Sequence, residues 1–158
     1  MKKQCISLLL MLAAGLGTAF GAPSAQDILA ASDAVRASVA YAQALGVAVN
    51  VAVVDVSGVQ VAFLRMPGAP LHSIDIAIDK AYTAASFGLA TSQWHKVLQE
   101  HSPAVREGLV LRPRFVAFGG GLPILENGLR IGGIGVSGGS EQEDEAIAQA
   151  GLKAIGLA

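Results

Sequence analysis

Gly119-Gly-Gly-Leu-Pro-Ile-Leu-Glu-Asn127-Gly128-Leu-Arg-Ile-Gly-Gly133-Ile-Gly135-Val-Ser137-Gly138-Gly139 is the stretch on which the fold turns. It holds nine of the chain's 19 glycines and ends in a literal G-x-G-x-x-G, Gly133 to Gly138, after an apolar run and ahead of a helical pattern. That is the setting of a dinucleotide-binding turn, but such a unit needs a βαβ of about 30 residues and an acidic residue about 20 positions on. Only 20 residues follow Gly138, too few for a helix and a returning strand. Glu141, Glu143, Asp144 and Glu145 crowd the start of the next helix, which suits the helix dipole and repels a phosphate at the same end. Asn127-Gly128 between two apolar runs is a hairpin signal, because both central residues must tolerate positive φ. The stretch therefore reads as antiparallel strands, with glycines for tight turns and for close approach of a helix to the sheet.

Outward from this stretch, the pattern predicts a helix over 24–45 stopped by Gly46, and a strand over 47–56. An Asp55-Val-Ser-Gly58 turn and a strand over 59–65 follow. Met66-Pro67-Gly68-Ala69-Pro70 breaks regular structure, because proline lacks a donor and forces its predecessor to be extended. A helix over 72–87 carries Ile74, Ala77, Ile78, Ala81, Ala84 and Ala85, a face small enough to lie close to a sheet, and 92–100 is a shorter helix. Residues 103–113 read as a loop or edge segment, 114–118 as a strand, 122–125 and 129–136 as the hairpin. The chain closes with a helix over 140–157, whose Ser140 and Glu143 are spaced as a capping box. The order α, β, β, α, α, β, β, β, α, dominated by hairpins, predicts an α+β domain with an antiparallel sheet between helices.

The N-terminus reads as a signal peptide over 1–21. Lys2 and Lys3 precede an uncharged run from Cys5 to Phe20, and Ala19-Phe20-Gly21 fits a cleavage before Ala22. The run is short for a membrane span, which needs about 20 residues. Export to the periplasm or beyond is expected, leaving one domain over 22–158 with no thiol, since Cys5 is the chain's only cysteine. Nine basic residues then face 12 acidic ones, a net charge of −3, and the basic residues are scattered, so nucleic acid is not an expected partner. With 53% hydrophobic and 15% charged residues, little polar material exists to cover a monomer, which predicts a homo-oligomer.

Among candidate site residues, His72, His95 and His101 lack the H-x-x-x-H spacing that puts two imidazoles on one helix face for zinc. A haem iron needs only one or two protein donors. His72 suits that role, opening a helix after a Pro-Gly loop, with Met66 and Tyr82 as alternative donors. Arg65, Lys80, Arg112 and Arg114 are the cations suited to a carboxylate, and Lys80 interrupts an otherwise small, apolar helix face. The backbone N–H groups of Gly119, Gly120 and Gly121 offer a further ligand contact. No serine lies in G-x-S-x-G, and Asp55 is expected to bond the backbone of its own turn.

Five motifs occur in order: Ala52-Val-Val-Asp55-Val-Ser-Gly58, Arg65-Met-Pro-Gly68-Ala69, Lys80-Ala-Tyr-Thr83-Ala-Ala-Ser-Phe87, Gly119-Gly120-Gly121-Leu-Pro123-Ile, and Gly133-Ile-Gly135-Val-Ser137-Gly138. Together they resemble the GlcG/HbpS family of haem-binding proteins across essentially all of the chain after residue 21. The resemblance implies a profilin-like fold with a five-stranded antiparallel sheet, and a compact oligomer that is often octameric. It also implies haem as ligand, with roles in haem sensing, haem degradation or iron release among secreted members. Lys80, Thr83 and the turn from Gly119 to Pro123 are the positions it implies as a shared pocket. A related module in a cobalamin adenosyltransferase uses histidine and cysteine on haem, and the processed chain here has no such cysteine. The alternative expectation is a small-molecule enzyme or accessory protein for a hydroxy acid, its pocket lying between the Lys80 helix and Gly119–Gly121.

Overall fold

The computed structural model describes residues 25–157, so the expected signal peptide and Cys5 lie outside the described residues. The elements are α1 (Ala25–Leu45), β1 (Asn50–Asp55), β2 (Gln60–Arg65), α2 (His72–Phe87), α3 (Trp94–Glu100, after a 3₁₀ turn at Thr91–Gln93), α4 (Pro103–Leu109), β3 (Gly121–Glu126), β4 (Leu129–Ser137) and α5 (Glu141–Ala154). The sheet has four strands in the order β2-β1-β4-β3, all neighbours antiparallel. An α+β domain with helices on both faces is thus what the pattern predicted, but with four strands where five were expected.

The missing strand is residues 114–118. Arg114 has φ 64, and the Thr83 hydroxyl donates to the Arg114 carbonyl (2.9 Å) and accepts from the Val116 N–H (3.1 Å). A helix side chain holds backbone groups that a neighbouring strand would need, so the segment is pinned as a loop against α2. The second correction is α4, where a loop or edge was expected. Ser102 caps it, accepting from the Val105 N–H at 3.4 Å, and Pro103 follows at the first helical position, where its missing N–H costs nothing.

Strand alternation sorts the core into two layers. Val51 and Val53 of β1 join Ile134 and Val136 of β4 on the face covered by α1 and α5, with Val35, Ile147 and Leu152. Ala52 and Val54 point to the opposite face and meet Ala77, Ala81 and Ala85 of α2. There the glycines of β4 act: a Cβ at Gly133 or Gly135 would collide with the carbonyl oxygens of Ala81 and Ala77. Alanine on the helix and glycine on the strand bring backbone almost onto backbone. The G-x-G of the quoted stretch is therefore a helix seat on an antiparallel strand. Asn127 (φ 51) and Gly128 (φ 79) make the hairpin turn, and Asp55 accepts from the N–H groups of Ser57 (2.8 Å) and Val59 (3.0 Å), both as expected.

Candidate functional site

Helix α2 carries Lys80, Tyr82 and Thr83 within four positions, and the helical turn sends them to different surroundings. Lys80 is 1% exposed. Its Nζ donates to Asp144 Oδ2 at 2.8 Å and to the Val136 carbonyl at 2.9 Å, while Asp144 Oδ1 accepts from the Gly139 N–H at 2.9 Å. Gly120 passes directly over this pair, since a Cβ there would lie 2.7 Å from Lys80 Nζ, from Asp144 Cβ and from the Val136 oxygen. Burial pushes the Lys80 ammonium below its ordinary value, and the Asp144 carboxylate works against that shift. Gly119 donates to Glu141 Oε2 at 2.7 Å, and Gly121 donates to Thr91 Oγ1 at 2.9 Å. The expected pocket between Lys80 and the triple glycine is therefore filled by protein: it is a dry knot joining α2, β4 and α5.

Outside the knot a surface groove of about 450 Å³ runs past Gly119, Glu141, Glu145, Gln142 and Ser92. Two carboxylates line it and no cation does, so it repels hydroxy acids and haem propionates alike.

Thr83, three positions on from Lys80, is fully engaged with the 114–116 backbone. Beside it Tyr82 lies between two partners. One ring edge packs on Gly58, where a Cβ would come within 2.5 Å of Cε2, and the Arg114 guanidinium stacks 3.7 Å from the ring centroid. Arg114 Nε also donates to Asp79 Oδ1 at 2.9 Å. Together with Phe87, Phe115 and Arg112 these side chains border a cleft of about 240 Å³. Phe87 and Phe115 are edge-on to the buried Trp94, with centroids 4.7 and 4.9 Å away, which fixes the apolar wall. Arg112 is exposed and its guanidinium makes no hydrogen bond or ion pair with another described residue.

The remaining expected residues lie elsewhere. Arg65 Nη2 donates to the Ala69 carbonyl at 2.8 Å, and exposed His72 opens α2 just beyond, so these two flank one loop. From His72 to Thr83 is 11 positions along α2, roughly 16 Å of helix. His95 and His101 are exposed, and no histidine lines either cavity. The residues expected to form one pocket thus divide into three places: Arg65 with His72, Lys80 with Gly119 to Gly121, and Thr83 with the 114–116 loop. Sequence reasoning missed Asp144 as the partner of Lys80, although Asp144 shares its helix face with Ile147, Ala148 and Gly151 and so had to point inward.

The fold is thus an antiparallel α+β domain whose helix α2 ends beside a cleft with arginine and aromatic side chains. The chain belongs to the HbpS-like family: the family described as "haem degrading protein HbpS-like" matches residues 27–153. A crystal structure of a PduOC:heme complex has a TM-score of 0.76 and 37% identity, covering 87% of this chain and 98% of that one. The crystal structure of HbpS follows at 0.75 and 35%, covering 89% and 96%. The corrinoid adenosyltransferase PduO of Salmonella typhimurium is 39% identical over 122 residues, 77% of this chain and 36% of the enzyme. The chain thus spans about a third of that curated relative.

Proposed function

We propose that this protein binds haem on the outer side of α2, in the cleft bordered by Tyr82, Phe87, Phe115 and Arg112. The observation that carries the reading is the pairing of an unpartnered guanidinium with an apolar aromatic wall, in a domain 37% identical to one crystallised as a heme complex. The cleft offers two kinds of contact that the group needs: rings for the porphyrin face and Arg112 for a propionate. Bound haem supplies a redox-active iron, and the protein supplies binding, orientation and electrostatics. Lys80, Thr83 and Gly119 to Gly121 serve this reading by building the frame behind the cleft, and the Arg65–His72 loop offers the competing arrangement of a cation with an imidazole.

Haemin titration of the folded protein tests the reading. A saturable change in the Soret band is expected, and its absence ends the proposal; hydroxy acids at millimolar concentration should give no thermal stabilisation. Haem degradation is the finer reading that the family description supports. Its test is loss of the Soret band with iron release above a protein-free control when a reductant or peroxide is added.

The exported, periplasmic or secreted location and the homo-oligomer, with eight copies as the form the resemblance implies, belong to the same proposal. Exposed Leu71, Leu111 and Leu129 support burial of apolar surface between copies. Mass spectrometry of the mature N-terminus checks the first, where retention of Met1 counts against export. Mass measurement in solution checks the second, where a monomer at micromolar concentration counts against assembly.

A further inference from the structure

We propose that the free edge of β2 joins two copies of this chain, β2 pairing antiparallel with β2 of the second copy about a twofold axis at Leu64. The inference rests on the homo-oligomer reading above and deepens it by naming the surface and its register. The sheet order β2-β1-β4-β3 leaves two edges, and they are not alike. Edge strand β3 carries Pro123 in its middle, which has no N–H to offer, and the Gly121 N–H is taken by Thr91 Oγ1 at 2.9 Å. Edge strand β2 has neither device: Val61-Ala-Phe-Leu64 holds no charge and no proline.

The register follows from one hydrogen bond. The Met66 N–H donates to the Val49 carbonyl at 3.0 Å, so the alternation of an antiparallel ladder turns the backbone groups of Leu64 toward β1 and those of Phe63 and Arg65 away from it. No turn, loop or cap bond among the described residues takes the N–H or C=O of Phe63 or Arg65. Before Ala62 the register shifts, so the regular edge is short and centres on 63–65. A twofold axis at Leu64 sets Phe63 opposite Arg65 of the second copy, where the two exchange both N–H···O bonds, and the symmetry repeats the exchange. The same pairing lays each Phe63 ring beside an arginine stem and brings the two Leu64 side chains, 38% exposed in the single chain, together on the axis. One segment thus supplies donors, acceptors and side chains that fit a copy of itself, which is why a second copy and not a foreign strand is the occupant. A strand pair alone falls short of the roughly 1,200 Å² that a stable interface buries. Helix α1 packs on β2 and exposes Tyr41 and Leu45 toward its C-terminal end, so the two α1 helices supply apolar surface beside the strands.

The test is the mass in solution, at micromolar concentration, of wild type, Leu64→Lys, Leu64→Glu and a mixture of the two variants. Each variant sets like charges against each other on the axis, so each alone should fall to about half the wild-type mass or less. The mixture should regain the wild-type mass, because lysine then faces glutamate. Full wild-type mass in either single variant overturns the β2 surface, and a mixture that stays dissociated overturns the register. A monomeric wild type ends the homo-oligomer reading as well, whereas a wild-type oligomer that both charges leave intact removes the β2 surface alone. Hydrogen exchange on wild type decides the matter even if the variants fail to fold, which circular dichroism reports. The Phe63 and Arg65 amides should be protected in the oligomer, and exchange as fast as in an open edge overturns the proposal.

Discussion

Two regions hang from the same four positions of α2 and differ in one respect: how completely their polar groups are satisfied. At the Lys80–Asp144 knot every charged atom with a described neighbour is paired, glycine presses in from above, and solvent is shut out. At the Tyr82 cleft the cation Arg112 and the Tyr82 oxygen are left over, and the backbone of Arg114 is strained. Lys80 is the more conspicuous residue in the sequence, a charge on an alanine face, yet its conspicuousness reports a structural requirement. Unspent polar chemistry lies two residues further on, at Tyr82. A buried charge points to function only when its partners are not already supplied by the fold.

The largest effect should come from breaking the knot. Lys80→Met leaves the Asp144 carboxylate buried with one backbone donor, and Asp144→Leu leaves the ammonium likewise, so each should cost about 3–5 kcal/mol of stability. Combining the two should recover most of that loss, because two apolar groups of similar size replace a pair that had to be desolvated. Chemical denaturation of the three variants measures this, and a loss in the double variant equal to the sum of the two single losses would show that the pair is not coupled. The shift of Lys80 adds a sign. Its folded value lies below the ordinary 10.5, so the unfolded chain binds more protons between the two. The penalty for burying charged Lys80 therefore stands in full below the folded value and fades as pH rises to 10.5. Stability of wild type relative to Lys80→Met should climb through that window.

Thr83→Val ranks next and probes the join between the two regions. It keeps shape but removes the hydroxyl that holds the Arg114 carbonyl and the buried Val116 N–H, so about 1–3 kcal/mol should be lost. Hydrogen exchange should show residues 112–116 opening more than β4 does. Uniform loss of protection across the sheet would mean that Thr83 supports the whole core and not the cleft.

Smaller still is the cap of α5, which sets Asp144 in place. Ser140 and Glu143 form the expected capping box, and Ser140→Ala should cost about 1 kcal/mol. Hydrogen bonds from the Ser140 N–H and hydroxyl hold the Glu143 carboxyl below its ordinary 4.5. The contribution of Glu143 is thus present above 4.5 and lost as pH falls through the depressed folded value. Thermal melts of wild type and Ser140→Ala should converge in acid, and curves that stay parallel would remove the box from the pH response.

The contrast between the regions also explains what sequence could and could not reveal. Asn127-Gly128, Asp55-x-x-Gly58, the alanine face of α2 and the Ser140 box are local signals, each set by backbone geometry within a few residues, and each is found where expected. The strand expected at 114–118 failed because its fate depends on Thr83, 31 positions before Arg114, which takes over the backbone groups a neighbouring strand would use. The same distance hid the site. Lys80 and Asp144 are 64 positions apart, so the lysine was visible as an oddity and its neutraliser was not. Arg112, Arg114 and Tyr82 were each legible as a cation or a donor. Their convergence follows only from the loop that Thr83 pins.

Arg112→Ala changes stability least and so isolates the cleft most cleanly. The side chain is exposed and makes no hydrogen bond or ion pair with another described residue, so its removal should shift unfolding by no more than about 0.5 kcal/mol. If the guanidinium meets a propionate, haemin affinity should fall about two- to fivefold, the range of an exposed ion pair. That deficit should shrink as added salt screens the charge, since the Debye length falls from about 10 Å at 0.1 M to about 3 Å at 1 M. Titrations at both salt concentrations separate a charge effect from lost packing, because truncating the arginine stem removes apolar contact that salt does not screen. A deficit that persists undiminished at 1 M assigns Arg112 to the wall, and full wild-type affinity at low salt removes it from the haem site.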